Sequence, residues 1–414
     1  MATYESYKDS GVKWLGQIPS HWEVKKLRAF FSEVCESNSA LKVHNQLQFK
    51  YGTIVPKPDT GVDDAVLKTI SKYTVVNPGD IIINGLNLNY DFISFRVGKV
   101  NEQGVITSAY IAMRPNNGLS PKFYEYMLKA MDAKKVFHGF GTGIRATLSF
   151  KELKHKLLPL VPLNEQEAIV AYLDKVTGDI DRAIEAQQKM IDALNERKQI
   201  IITRAVTRGL NPDAPLRDSG IDWLGQIPEH WEVTKVKYIT YNLDRLRKPI
   251  TADQRSRNNP KYDYYGASGA IDKIDFYCVE DRVLLIGEDG ANLVMRNLPL
   301  IYKAEGRFWV NNHAHILKEK PGYDYDYLAF LLEAGDYTNF ITGSAQPKLT
   351  KSNLGAYPVA VPPYEEQISI VDFINRMVKP IDDSLSKISA MISLLQERKQ
   401  IIINEVVTGK TKVI

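Results

Sequence analysis

The 414 residues carry 53 Lys and Arg against 49 Asp and Glu, a net charge of +4, with 44% apolar and 25% charged residues. That length admits two or three domains with their own cores, and that composition excludes wholesale disorder while leaving a polyanionic partner open. Cys35 and Cys278 lack paired spacing, which argues against a disulfide framework or structural zinc, and no stretch has the apolar character of a signal peptide or membrane span, so a cytoplasmic protein is expected.

The first element is the motif DSGVKWLGQIPSHWEV, from Asp9 to Val24. It returns from Asp218 to Val233 as DSGIDWLGQIPEHWEV, identical at 13 of 16 positions. Asp9 and Gly11 suit a turn, whereas Trp14, Leu15, Ile18, Pro19 and Trp22 suit packing, as do Trp223, Leu224, Ile227, Pro228 and Trp231 in the second copy. The motif is expected to act as a clasp that docks the start of each variable region near the helical segments that close each half.

The stretches after the two copies differ in residues but share an order of elements. VVNPGDIIINGLN and VEDRVLLIGEDGAN each hold a charged turn, a short apolar run and a Gly-containing polar loop, with Ile83 to Asn87 aligned on Ile286 to Gly290. Strand-like GVITSAYIAMRP and GRFWVNNHAHILKE come next, then helical PKFYEYMLKAM and YDYLAFLLEAG. The HxH pair of His313 and His315 lies in such a strand, where alternation would put both on one face.

A second repeat closes each half. NEQEAIV from Asn164 and EEQISIV from Glu365 open segments that converge on ERKQIII, from Glu196 and from Glu397. Ile169, Leu173, Val176, Ile180, Ala183, Met190, Leu194 and Ile201 advance by fours and threes, interrupted at Gln187 and Arg197. The same register in the second half catches Ile370, Ile374, Met377, Ile381, Ile388, Met391, Leu395 and Ile402, so the two seams are expected to pack on each other antiparallel. Pro380, and Thr177 with Gly178 at the matching place, predict a break in each segment. The first then reads as a helix from about Glu165 to Val176, its start capped by Asn164 with Glu167, and another from about Asp179 to Arg208. A thirty-residue helix spans roughly 45 Å, the scale of a spacer.

The ordered set, DSGxxWLGxIPxHWEV, PxxEQ, ERKQxII and the GSAQPKL before PVAVPPYEEQ, resembles the specificity subunit of type I restriction-modification systems, over essentially the whole chain and twice over. The resemblance implies an α+β fold: two pseudo-symmetric globular mixed α/β target recognition domains joined by two long helices forming an antiparallel coiled coil. On that pattern 1–24 and 211–233 are the repeated motifs, 25–161 and 234–361 the recognition domains, and 162–210 and 362–414 the helical regions. Each domain would read one half of a split double-stranded DNA target, and the helices would set the spacer. Methyltransferase (M) subunits would dock on the scaffold and motor-nuclease (R) subunits would cleave. The chain itself would be no enzyme and hold no cofactor, with S-adenosylmethionine, ATP and Mg belonging to the partner subunits.

The residues agree that chemistry lies elsewhere: neither an adenine-methyltransferase box nor a glycine-rich cofactor loop is present, and VVTGKT has Asn404 where a phosphate-binding loop needs glycine. DNA readers need donors and acceptors on loops. Candidates are Lys50, Tyr51, Asn84, Asn87, Asn89, Arg145 and Thr147 in the first half. In the second they are Tyr264, Tyr265, Ser268, Glu288, Asp289, Asn292, Ser344, Gln346 and Lys348. Glu288 or Asp289 would accept from a cytosine amino group or hold its loop in shape. Ile180, Met190, Leu194, Ile201, Ile381, Ile388, Met391, Leu395 and Ile402 are assigned to the helical seam and its partners. Two other classes remain open: a two-lobed adaptor for protein or glycan, and a metal-dependent nuclease using Glu288, Asp289 and His313, although no convincing metal-ligand set is seen.

Overall fold

Turn chemistry shapes both copies of the repeated motif in the same way. The computed structural model describes residues 3–50, 52–58, 63–92, 94–141, 146–251, 255, 260–343 and 346–413. Tyr7–Asp9 pairs antiparallel with Gln17–Pro19, and Leu216–Asp218 with Gln226–Pro228. In each hairpin the aspartate side chain accepts from the glycine two residues on, Gly11 at 3.0 Å and Gly220 at 2.9 Å. Those glycines have φ of +67° and +69°, left-handed conformations that a Cβ disfavours.

The chain divides into two units, Met1–Gln187 with Ser389–Ile414, and Gln188–Ile388. In the first, Phe31–Glu33, Ile111–Pro115, Ile81–Ile83 and Val97–Lys99 form a four-stranded sheet in that order. The run Ile81, Ile82, Ile83 is apolar without alternation because both faces are covered: Ile81 and Ile83 join the main core, and Ile82 joins a second cluster with Leu47, Ile54 and Val100. The helix Pro121–Ala133 starts where the Ser120 hydroxyl accepts from Phe123 N and Pro121 opens the first turn, and it buries Phe123, Met127 and Met131 in the main core.

The second unit repeats the plan with a larger sheet. Its order is Thr240–Asn242, Ala314–Glu319, Val279–Gly287, Ile301–Val310, Tyr262–Gly266 and Gly269–Ile274. Leu284 and Ile286 face the main core while Val283 and Leu285 face the other cluster. The helix Tyr325–Ala334 is capped by Asp324. In both units the strand that begins at the end of the repeated motif pairs with the strand that precedes a long helix: Glu23–Lys26 with Leu157–Leu160, and Glu232–Lys235 with Pro358–Val361.

The long helices run Leu163–Arg208 and Tyr364–Val407, and neither breaks where the sequence rules placed a break. Near Gly178 the helix is braced from outside, with the Tyr126 hydroxyl 2.6 Å from Asp174 and 3.3 Å from Thr177. Pro380 removes the amide donor to the carbonyl of Arg376, but both residues are exposed, so water can satisfy that carbonyl. Asn164 lies inside the first turn of its helix and is not a cap.

Within each unit the start of one long helix packs on the end of the other, which makes the pairs antiparallel. The first unit joins Ile169, Leu173 and Ile180 with Ile402, Ile403 and Val406, flanked by the partly buried Leu395. The second joins Ile202 and Val206 with Ile370, Ile374 and Val378, and Ile381 is also buried. The expected seam needs correction at its middle: Met190 is 54% and Met391 50% exposed, and Leu194 and Ile388 are only half-buried. Ile202, not Ile201, is the buried position. Two helices alone cover a narrow stripe, so full burial is confined to the stretches that a globular core also covers. One ion pair recurs in each unit, Lys198 to Asp382 and Lys399 to Asp181, both at 2.6 Å, between repeat-equivalent residues.

Candidate nucleic-acid interface

The repeated Glu-Gln dipeptide mounts each variable region. Glu165 accepts from the Trp22 indole at 3.1 Å and from the Tyr4 hydroxyl at 3.1 Å, and it contacts His21 at 2.5 Å. Glu366 likewise accepts from Trp231 at 3.2 Å and meets His230 at 2.7 Å. The neighbouring glutamines reach the other way: Gln166 accepts from Ser120 N and donates to Val161 O, and Gln367 accepts from Asp324 N and donates to Pro362 O. Ser120 and Asp324 cap the variable-region helices. Each dipeptide thus ties the motif, the long helix and the domain helix together, so sequence reasoning placed the clasp correctly but missed its acceptors. Their recurrence in both halves was the available signal.

On this mounting, two loops in each unit are pinned by matching backbone bonds. In the first unit Leu148 N donates to Gly85 O at 2.9 Å and Leu88 N to Ala146 O at 3.2 Å. In the second, Leu349 N donates to Glu288 O at 2.7 Å and Gly290 N to Pro347 O at 3.0 Å. Asn87 and Gly290, aligned in the sequence, both take positive φ, +53° and +101°. Asn84, Asn87 and Asn89 therefore share one end of the first unit with Thr147, and Asp289 and Asn292 share the corresponding end of the second with Gln346 and Lys348. Asn87, Asn89, Thr147, Gln346 and Lys348 are exposed, whereas Asn84 and Asn292 are half-buried.

Different buried charges hold the two loops. Arg96, fully buried, donates from one guanidinium nitrogen to Asn84 O and Leu86 O at 3.1 and 2.8 Å and from the other to Asp91 O at 2.8 Å. In the second unit His315 is fully buried, with Nδ1 2.7 Å from Asp244 Oδ2 and Nε2 2.8 Å from Leu349 O. Both ring nitrogens face acceptors. Burial alone would raise the Asp244 carboxyl, but the bond to His315, its charge and the Ile316 amide outweigh it and hold the group below its ordinary value. Glu288 is buried and paired with Arg247 and with Lys348 at 3.0 Å. Its burial acts upward, yet those two partners lead the opposing effects that keep its carboxyl low.

The remaining candidates fall in several settings. Lys50 and Ser268 are exposed. Tyr264 is buried at 1% exposure, with the Arg255 guanidinium 4.4 Å from its ring centre, and Tyr265 packs half-buried on Phe308. Tyr51, Arg145 and Ser344 lie outside the described residues. The two histidines of HxH do not share a face, because His313 precedes the strand and is exposed, 2.7 Å from Asp289, while His315 points into the core. Among the described residues no group of three or more His, Cys, Asp or Glu stands ready to hold a metal ion, and no helix is long and apolar enough to cross a membrane. Arg96, Asp244, Arg247 and His315 were missed as loop organisers, since nothing local marks a buried arginine or distinguishes a core histidine from an exposed one.

The family model for the type I restriction modification DNA specificity domain matches residues 19–190 and 228–393, one copy for each mounted region. The chain belongs to that family. It is 22% identical to the putative type I restriction enzyme MjaX specificity subunit of Methanocaldococcus jannaschii, over 98% of both chains. It is 24% identical to the MjaVIII specificity subunit of the same organism, over 98% of this chain and 97% of that one. A chain solved in a study of complex assembly and conformational transition of the type I R-M system superposes with a TM-score of 0.67 at 13% identity, covering 94% of this chain and 98% of that one. The α+β architecture with paired long helices is thus that of the specificity family.

Proposed function

We propose that this chain is the non-catalytic specificity subunit of a type I restriction-modification complex, each unit reading one half of a bipartite double-stranded DNA target. The observation that carries the reading is the pair of loop ends, pinned by one equivalent backbone bond and a second shifted by a single residue, but presenting different side chains. One geometry with two chemistries is what reading two different half-sites requires. Asn87, Asn89 and Thr147 in the first unit, and Asp289, Gln346 and Lys348 in the second, are the proposed base and phosphate contacts, whereas the Asn292 amide is committed to its own loop. Glu288 and Tyr264 serve the loops and core from within. Residues 25–161 and 234–361 are the proposed exchangeable recognition domains, and the paired helices set the spacer and dock the methyltransferase subunits.

Methylation and cleavage are then the work of M and R subunits, which supply the sites for S-adenosylmethionine, ATP and Mg. The test is to express the chain with its methyltransferase subunit and map methylated adenines at single-base resolution. A split motif with a fixed spacer is expected, and exchanging 25–161 for another recognition domain should alter one half alone. No methylation, or a change in both halves, would refute the reading and favour an adaptor without DNA specificity.

A further inference from the structure

Beside the pinned loops, each unit exposes a group of apolar side chains. In the first unit Tyr90, Phe92 and Phe95 are 74%, 56% and 53% exposed, and in the second Val294, Met295 and Leu298 are 64%, 66% and 50% exposed. Three large apolar residues within six positions, standing in water at the same place in both units, mark a contact surface.

The described residues of these segments are also tied by polar bonds. Asn292 donates to the carbonyls of Leu298 and Pro299 at 3.0 and 3.2 Å and accepts from Leu298 N at 2.8 Å, closing the segment on itself. Arg296, at φ +52°, anchors its guanidinium on the Glu333 and Gly335 carbonyls. In the first unit Arg96 and His138 both bond Asp91 O, and the Phe92 ring stacks on His138 with centroids 4.6 Å apart. Polar groups keep the backbone fixed while the apolar groups stay outside, so the tips are preorganised for a partner.

The internal repeat identifies the class of partner. Surfaces with one job in both halves are written with the same residues, as in the Trp-Glu clasp and the Lys-Asp ion pairs. A protein subunit bound once by each half would be met by a repeated surface. The apolar tips instead differ, aromatic in one unit and aliphatic in the other, in step with what differs between the halves, the DNA read. We propose that Tyr90, Phe92 and Phe95, and Val294, Met295 and Leu298, are wedges that enter the duplex next to the bases read and prise open one base step in each half-site. Apolar side chains of these kinds unstack base steps in proteins that kink DNA, and aromatic rings replace part of the lost stacking. The wedge rests on the DNA-reading function proposed for the two units.

The test uses the complex with its methyltransferase subunit and, once the target is mapped, duplexes with 2-aminopurine placed singly along each half-site. A several-fold rise in fluorescence is expected at one step in each half-site apart from the adenine that is methylated. Tyr90→Ser with Phe92→Ser should abolish it in the first half-site only, and Val294→Ser with Met295→Ser in the second only, each with roughly a 10-fold or greater loss of affinity. Tyr90→Ser alone, at the most exposed position, guards against loss of fold, and should weaken the first signal with an unchanged melting temperature. Sequence-specific binding with no brightened step would overturn the wedge and leave the reading function standing. Loss of methyltransferase association in the variants would assign the tips to a protein contact. Absence of specific binding by the unaltered complex would overturn both.

Discussion

The Trp22 indole donates to Glu165 across 3.1 Å, in a pocket where both residues are buried and Tyr4 and His21 meet the same carboxylate. Replacing Glu165 by Leu leaves buried donors without an acceptor, which costs about 1–3 kcal/mol. Glu366→Leu should cost less, because two side chains rather than three meet that carboxylate. Amide hydrogen exchange checks this: each substitution should loosen the unit that contains it and spare the other.

The Lys198–Asp382 pair, with side chains 32% and 49% exposed, is partly screened and contributes modestly. Lys198→Glu should destabilise the second unit by roughly 0.5–1 kcal/mol, and adding Asp382→Lys should recover most of it. Denaturant melts of the two single variants and the double variant measure the coupling.

Arg96 holds its loop through a planar fork that lysine cannot reproduce. Arg96→Lys is therefore expected to degrade discrimination in the first half-site about as much as Arg96→Met, while the second half-site stays intact. Single-base methylation maps of the two variants would show it. Equal damage to both halves would contradict a local role.

Asp244 gives the second unit an acid-sensitive element. Its folded carboxyl titrates below the ordinary 3.8, burial being outweighed by His315 and the Ile316 amide. A depressed folded value means that the unfolded chain binds the proton more readily, so the stabilisation is complete above 3.8 and disappears as pH falls through the folded value. Other charges beside it are Arg247, Glu288 and Lys348, with Asp289 and His313 adjoining. Near-UV circular dichroism of Asp244→Asn against the unaltered chain should show a flatter acid limb in the variant.

Much of this was legible because the repeat compares the chain with itself. The Trp-rich motif, the order of elements and the antiparallel seam came through, since packing dictates residue type at those positions. The unbroken helices did not. Local rules for Pro380 and Gly178 say nothing of an exposed carbonyl or of Tyr126 bracing Asp174 from another element. Candidate loops were found by alignment of the halves, but Glu288 is buried against Arg247, a residue 41 positions away, while Gln346 is exposed. Sequence gives no measure of such a distance in space.

Gly209 and Gly409 end the two long helices at φ of +69° and +71°, each so close to a motif tryptophan that a Cβ would crowd it. For Gly209 that tryptophan, Trp231, comes shortly after it in the chain. For Gly409 it is Trp22, and beside it the Tyr7 hydroxyl donates to Lys410 O across 403 positions. The second unit is one uninterrupted stretch, whereas the first borrows Ser389–Ile414 to complete its core. A chain made from its N-terminus therefore supplies all of the second unit's residues, up to Ile388, before it supplies Ser389–Ile414, which brings Gly409 to Trp22 and completes the first.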